Sequence, residues 1–195
     1  MNGRTAVIAA AAVTILGGLY FFSTPSSSSF SMSTSPSASS EVPGLEFKLS
    51  QISRSPPSLL VTLKNNNPET PFTILKWGTP LDPQASNLGV FKLVDAESGK
   101  EVPTDIIKIA RKMPPSREDM VTVAPGTEEA TEVVFDKPWM PNKKPAKYKV
   151  KAEGEFMGVW DKYGGDVQES DMEAYTDSPL SGRAFKSNEQ VMLVD

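Results

Sequence analysis

Short apolar runs separated by turn signals constrain this chain more than any other feature. Three apolar residues, Leu59, Val61 and Leu63, recur at every second position, as in a strand with one face on a core. Residues 65–68 (NNNP) signal a turn, and a second apolar run follows at residues 72–75. Two such runs around an Asn/Pro turn predict strand, turn and strand. The second strand either pairs with the first as a hairpin or crosses to another sheet.

The same pattern recurs along most of the chain. Further strands are predicted at residues 45–49, 90–94, 120–123, 130–135, 148–152 and 190–194. Turns with Gly in a permissive position separate some of them, at residues 97–100 and 124–127. Ser116 is placed to cap one turn of helix. Residues 44–195 are therefore predicted to form an all-β, immunoglobulin-like antiparallel β-sandwich of seven to nine strands.

The N-terminus predicts entry into the secretory pathway. Arg4 precedes 17 uncharged residues, 6–22, which as a helix would be about 25 Å long. Residues 1–22 fit a cleaved signal peptide, which would leave the protein secreted. They also fit an uncleaved signal anchor, with the aromatic residues 20–22 at the far interface and the globular part outside. In the second case residues 6–22 would attach the chain to a membrane.

A Ser/Thr/Pro-rich segment follows the apolar one. Residues 23–40 contain 11 Ser, 2 Thr and 2 Pro. Such a composition cannot bury enough apolar surface to offset the entropy of ordering it. Residues 23–43 are therefore predicted to be a disordered linker, which is either a plain connection or an O-glycosylated stalk.

The composition excludes several classes of function. The chain has neither Cys nor His, so it lacks thiolate nucleophiles, disulfides and the commonest general base and zinc ligand. Its formal net charge of -4 argues against nucleic-acid binding. We therefore predict a protein that is not an enzyme, has no cofactor and no metal, and does not bind nucleic acid.

Two groups of residues are candidates for binding a protein partner. The first is a basic cluster that could dock an acidic surface or could simply be a solvated sheet edge: Lys108, Arg111, Lys112 and Arg117. The second is a pair of aromatic residues in loops, Trp139 and Trp160. Such residues either anchor interfaces or close the open ends of a sandwich.

The segment 161–177 is acidic and has no strand pattern. It holds six carboxylates against a single Lys162: Asp161, Asp166, Glu169, Asp171, Glu173 and Asp177. Clustered carboxylates could bind Ca²⁺, but their spacing matches no calcium loop. A solvated acidic loop is the alternative that the spacing favours.

Five stretches within residues 44–195 form a recognisable order of motifs: LLVTLKNNNPETPFTILKWGTPLD, VFKLVDAESGKEVP, IIKIARKMPPSREDMVTVAPGTEEATEVVFD, AKYKVKAEGEF and FKSNEQVMLVD. This order resembles the propeptide domain of fungal deuterolysin-type zinc metalloproteases. In that family the domain precedes a catalytic domain, assists its folding and keeps it inactive. This chain has no His-Glu-x-x-His helix. The resemblance therefore implies a scaffold without the protease activity.

Two functions follow as hypotheses. The first is a non-catalytic module of the secretory pathway that binds another protein in trans, such as a secreted metalloprotease, as an inhibitor or a folding aid. The second is a structural or adhesive β-sandwich carried on a stalk at the cell surface.

Overall fold

The computed structural model describes residues 40–195, so the predicted segment 1–22 and nearly all of the predicted linker 23–43 lie outside the described residues. The strands are β1 (Leu45–Arg54), β2 (Pro57–Asn65), β3 (Phe72–Leu75), β4 (Phe91–Asp95), β5 (Met120–Val123), β6 (Glu128–Val134), β7 (Ala146–Glu155), β8 (Val159–Trp160), β9 (Ala184–Lys186) and β10 (Gln190–Val194). The one α-helix in this range is α1 (Glu169–Glu173). Short 3₁₀ turns lie at Ala85–Asn87, Arg117–Asp119, Gly164–Asp166 and Tyr175–Asp177.

The first sheet has the order β1-β2-β6, with antiparallel pairing throughout. Leu59, Val61 and Leu63 of the central strand have no exposed surface, whereas Leu60 and Thr62 on the opposite face are only partly buried. The alternation of side chains along a strand gives this pattern when one face packs on a core. The predicted strand at 59–63 and its buried face are confirmed.

The second sheet has the order β10-β7-β4, and β9 pairs with the end of β7. Tyr148, Val150 and Ala152 of β7 are buried, and the Lys residues between them are exposed. These inner residues belong to the same core cluster as the buried face of β2. The two sheets therefore face each other as a sandwich, as predicted.

A third, smaller sheet has the order β5-β3-β8. Because β2 and β3 belong to different sheets, the turn after Asn65 carries the chain from the first sheet to the third and does not close a hairpin. The Asn65 side chain holds this crossing. Its amide group donates to the carbonyl oxygens of Thr70 (2.8 Å) and Val123 (3.1 Å), and its Oδ1 accepts from the Asn67 amide (2.9 Å).

Strand β3 is buried on both faces. Phe72 and Ile74 join the main core, whereas Leu75 joins a second cluster with Trp77, Trp160, Val167 and Met172. Val167 and Met172 belong to the acidic segment 161–177. The acidic segment therefore covers the third sheet with these two apolar side chains, while its carboxylates form a charged surface.

Strands β1 and β10 meet along a seam made mostly by side chains. Asn188 bonds both backbone groups of Leu49, at 2.7 and 3.1 Å, and Gln51 bonds both backbone groups of Leu193, at 2.6 and 2.9 Å. A parallel bridge joins Phe47 to Ser187. The first and last strands of the fold thus run in the same direction.

The structure refines the predicted number of strands. It has ten strands in residues 40–195, against a predicted seven to nine, because β8 and β9 have only two and three residues. Both short strands were missed, and β8 lies in a stretch predicted to have no strand character. The predicted cap is confirmed, since Ser116 and Asp119 form a capping box on the turn Arg117–Asp119.

Candidate functional site

A long connection between β4 and β5 carries an exposed apolar surface. Residues 102–116 contain neither helix nor strand, and Ile106, Ile107 and Met113 on this loop are exposed. Met157, which follows β7, is exposed as well, and these four side chains show between 46% and 64% of their surface. Several large exposed apolar side chains on one loop are a feature of interaction sites. We call these four residues, with Lys108 and Lys112, the apolar–basic surface.

Backbone contacts hold the start of this loop against the segment before β4. The Ile107 amide donates to the Asn87 carbonyl oxygen at 3.0 Å. Gly89 has φ of +72°, and a Cβ at this position would lie 2.8 Å from Cδ1 of Ile106. Glycine is therefore favoured by the left-handed backbone, and any larger residue would also have to displace the exposed end of the Ile106 side chain.

Trp77 forms the buried floor beneath the loop. The Arg111 guanidinium lies 5.5 Å from the indole centroid, and the Tyr175 ring meets the indole edge to face at 5.8 Å. The indole N–H donates to Oδ1 of Asp119 at 3.0 Å. A buried Trp with its N–H satisfied is a stable platform, so the loop rests on a fixed base.

An ion pair ties the middle of the loop to the turn after Trp77. Arg111 Nη2 lies 2.5 Å from Oδ2 of Asp82, whose side chain has no exposed surface. The same carboxylate accepts from the amides of Gly78 and Gln84, both at 2.9 Å. With these partners the buried charge is compensated, and Arg111 serves to anchor the loop.

A cleft of roughly 460 Å³ opens beside Trp77. Its walls join the loop to Met157 and are mostly apolar: Trp77, Gly78, Leu88, Ile109, Arg111, Met113, Met157 and Tyr175. The cleft gives the apolar–basic surface a concave part into which a partner side chain could insert.

The four predicted basic residues divide into two kinds. Lys108 and Lys112 are exposed, and neither forms an ion pair with another residue of the range 40–195. Arg111 is the anchor described above. Arg117 donates to the carbonyl oxygens of Gly164 (2.6 Å) and Val167 (2.8 Å), and so fixes the acidic segment. The structure thus leaves the two lysines available to a partner.

Neither of the two predicted tryptophans lines the cleft beside Trp77. Trp160 is almost fully buried in the second core cluster, which fits the alternative that it closes the sandwich. Trp139 is partly buried and packs against the main core. A partner-binding role for either residue remains a prediction.

The acidic segment is folded around its own partners. Lys162 Nζ lies 2.7 Å from Oδ2 of Asp171, and the same oxygen accepts from the Gln168 amide at the start of α1. These bonds, led by the one from Lys162, lower the pKa of Asp171. Within residues 40–195, no group of three or more potential ligand side chains lies close enough to hold a metal ion. In the same range, no helix is long and apolar enough to span a bilayer.

Asp119 connects the capped turn to the Trp77 platform. Burial alone would raise the pKa of its carboxyl group, but hydrogen bonds from the Ser116 hydroxyl, the Ser116 amide and the Trp77 indole outweigh burial. The bonds from Ser116 measure 2.7 and 2.8 Å. The pKa of Asp119 therefore lies below its ordinary value.

We expect Asp119→Ala to lower the free energy of unfolding by about 1–2 kcal/mol at pH 7, because it removes a cap and the partly buried acceptor of the Trp77 N–H. A carboxyl group with a lowered folded pKa stabilises above its unfolded pKa and loses this effect as the pH falls through the folded pKa. The difference from the wild type should therefore shrink below about pH 4. Urea denaturation at several pH values measures the stability difference between the variant and the wild type. Glu118→Ala is the control. A stability difference that does not change with pH would contradict the role given to the Asp119 carboxylate.

Sequence reasoning missed the apolar half of the surface. Ile106, Ile107 and Ile109 form an apolar run without clean alternation and beside several basic residues. This lack of alternation was the available signal that the run is not a strand. Nothing in the sequence pattern placed Met157 beside Met113, because the two residues come together only in the fold.

The comparisons with known proteins agree with this architecture. The immunoglobulin-like domain family matches residues 44–194. A protein from Arthroderma benhamiae, named "Uncharacterized secreted protein", is 37% identical over 135 residues, which cover 68% of this chain and 65% of the relative. The aligned part thus spans a little less than two thirds of that relative. The family match covers most of the chain, and the chain belongs to the immunoglobulin-like domain family.

Proposed function

We propose that this protein is a non-catalytic protein-binding module of the secretory pathway. The observation that carries the proposal is the apolar–basic surface, where large apolar side chains are exposed on a loop that is anchored from below. An anchored loop loses little conformational freedom when a partner binds, so more of the contact energy appears as affinity.

The surface defines the chemistry of the partner. Ile106, Ile107, Met113 and Met157 favour a complementary apolar patch, with one side chain inserted into the cleft beside Trp77. Lys108 and Lys112 favour carboxylates around that patch, which steer association and fix its orientation. The partner we propose is a protein with an apolar patch rimmed by Asp or Glu.

We further propose that this partner is a secreted metalloprotease, which the domain inhibits or helps to fold in trans. The support is the resemblance of residues 44–195 to deuterolysin propeptides, together with the absence of His and Cys from the chain. Location in the secretory pathway is supported by the apolar segment 6–22 and by the name of the A. benhamiae relative, which describes that protein as secreted. The chain is then either anchored through residues 6–22 with its domain outside or released by cleavage.

Inhibition of a purified deuterolysin-type metalloprotease by the full chain tests the proposal. The double variant Ile106→Ser/Met113→Ser should weaken inhibition about tenfold or more, because it removes two of the four apolar side chains of the surface. The matched control is Ile52→Ser/Val191→Ser, since these residues are similarly exposed on β1 and β10, at 52% and 42%. If the wild-type chain neither inhibits the protease nor improves its refolding, the protease is rejected as the partner.

The Ser/Thr/Pro-rich composition of residues 23–40 favours a second function, that of a stalked structural or adhesive module at the cell surface. This function predicts saturable binding of the full chain to cell-wall polysaccharide or to glycans on an array. Binding that survives Ile106→Ser/Met113→Ser would favour it over the protease-binding function.

A further inference from the structure

The outer edge of β6 presents backbone groups that no other described residue uses. Strand β6 pairs with β2 on one side, and nothing pairs with its other side within residues 40–195. Two backbone hydrogen bonds at its ends show which residues of β6 bond to β2. The Asn65 N–H donates to the Thr127 carbonyl oxygen (2.9 Å), and the Phe135 N–H donates to the Pro57 carbonyl oxygen (2.8 Å). Residues 129, 131 and 133 therefore bond to β2, and residues 128, 130, 132 and 134 point their N–H and C=O groups outward.

A cleft of roughly 610 Å³ lies along this edge. Its far wall includes Met120 and Val121 of β5 and Leu81 and Pro83 of the turn after Trp77. The outward-pointing groups of β6 therefore face an open space that these four apolar side chains line together with the polar Lys76, Asp82 and Ser86. Such an edge can receive one more extended chain, which would satisfy the backbone and rest its inner side chains against the four apolar ones.

The charge of the edge selects among the possible occupants. Glu128, Glu129 and Glu132 form no ion pair within the described range, and Asp136 at the end of the cleft forms an ion pair with the neighbouring Lys137. A second copy paired through β6 about Ala130 would place Glu128 opposite Glu132 twice, and like charges directly opposite destabilise a ladder. The edge therefore disfavours self-association and favours a cationic strand.

We propose that the β6 edge binds an extended, basic segment of a partner protein as an added antiparallel strand. The segment carries Lys or Arg opposite Glu128 and Glu132, four residues apart, with a small residue between them opposite Ala130. Its residues opposite Thr131 and Val133 are apolar and face the apolar side chains of the cleft. Residues 128–134 span about 20 Å, which matches a segment of seven residues. This proposal uses residues other than the apolar–basic surface and does not depend on a protease as partner.

The test uses the full chain and the labelled heptapeptide Thr-Val-Lys-Val-Ala-Thr-Lys, acetylated and amidated at its ends. Antiparallel addition places its two Lys opposite Glu132 and Glu128. We expect saturable binding by fluorescence anisotropy at low salt, weakened about tenfold or more by Glu128→Lys/Glu132→Lys, because attraction becomes repulsion. A peptide with Glu in place of both Lys should bind at least about tenfold more weakly. No saturable binding at about 1 mM peptide would overturn the proposal.

Hydrogen exchange gives a direct reading of strand addition. The amides of Ala130 and Glu132 should exchange more slowly when the peptide is bound, whereas the Thr131 amide, already bonded to β2, should change little. Ala130→Pro removes an outward N–H without removing a bond to β2, and should abolish peptide binding. Ile106→Ser/Met113→Ser should bind the peptide as the wild type does. Peptide binding without protection of Ala130 and Glu132 would show a charge contact alone and would overturn strand addition.

Discussion

Replacement of Trp77 by Ala is expected to lower the free energy of unfolding by about 3–5 kcal/mol, because a large buried ring leaves a cavity that its surroundings cannot fill. The loss extends beyond the cavity. Asp119 loses a hydrogen bond of 3.0 Å, Arg111 loses the ring beneath its guanidinium, and Tyr175 loses its edge-to-face neighbour. The variant should therefore loosen the loop 102–116 and the apolar–basic surface together.

Urea denaturation of the full chain measures the stability change, and hydrogen exchange of the Ile107 amide reports on the loop. Trp77→Phe is the matched variant, since it keeps a ring over which Arg111 can lie but cannot bond to Asp119. We expect its cost to be less than half that of Trp77→Ala, because most of the apolar burial remains. If Trp77→Ala costs less than about 1 kcal/mol, the ring is not the platform of the loop.

Replacement of Asn65 by Ala is expected to cost about 3 kcal/mol, because three buried or partly buried backbone groups lose their partner. The carbonyl oxygens of Thr70 and Val123 lose donors, and the Asn67 amide loses an acceptor. Asn65 is fully buried where the chain passes from the first sheet to the third. The Asn65 side chain thus satisfies backbone groups that the hydrogen bonds of a hairpin would otherwise satisfy at this turn.

Asn66→Ala is the control within the same turn. The Asn66 side chain is exposed and bonds only to the exposed Glu46, at 3.1 Å, so its loss should change stability by no more than about 0.5 kcal/mol. Thermal or urea denaturation of the two variants gives the comparison. Equal effects at the two positions would mean that the buried bonds of Asn65 do not hold the crossing.

The strands with one face on the core could be predicted because their side chains repeat every two residues. The alternation at Leu59–Leu63 and at Tyr148–Ala152 identifies the buried faces of both sheets. The turn after Asn65 could not be resolved in this way, since a hairpin and a crossing share the same Asn/Pro signal. That choice depends on which strands β3 meets, and β5 and β8 lie about 50 and 90 residues further along the chain.

The candidate surface could be predicted only in part. The basic residues of the loop were visible in the sequence, but their division into free lysines and structural arginines depends on Asp82 and on the carbonyl oxygens of residues 164 and 167. The second core cluster was missed because Val167 and Met172 are isolated apolar residues in an acidic segment. Their burial follows from the third sheet, whose outer face they cover.

The seam between β1 and β10 has a mechanical consequence. Because the two strands run in the same direction, the start of β1 and the end of β10 lie at opposite ends of the sandwich. A pulling force applied to these two points acts along the strands. The hydrogen bonds made by Asn188 and Gln51 are therefore loaded in shear. Bonds loaded in shear share the force, whereas bonds that are peeled apart break one after another. The geometry of the terminal strands thus suits a domain that carries tension along its length.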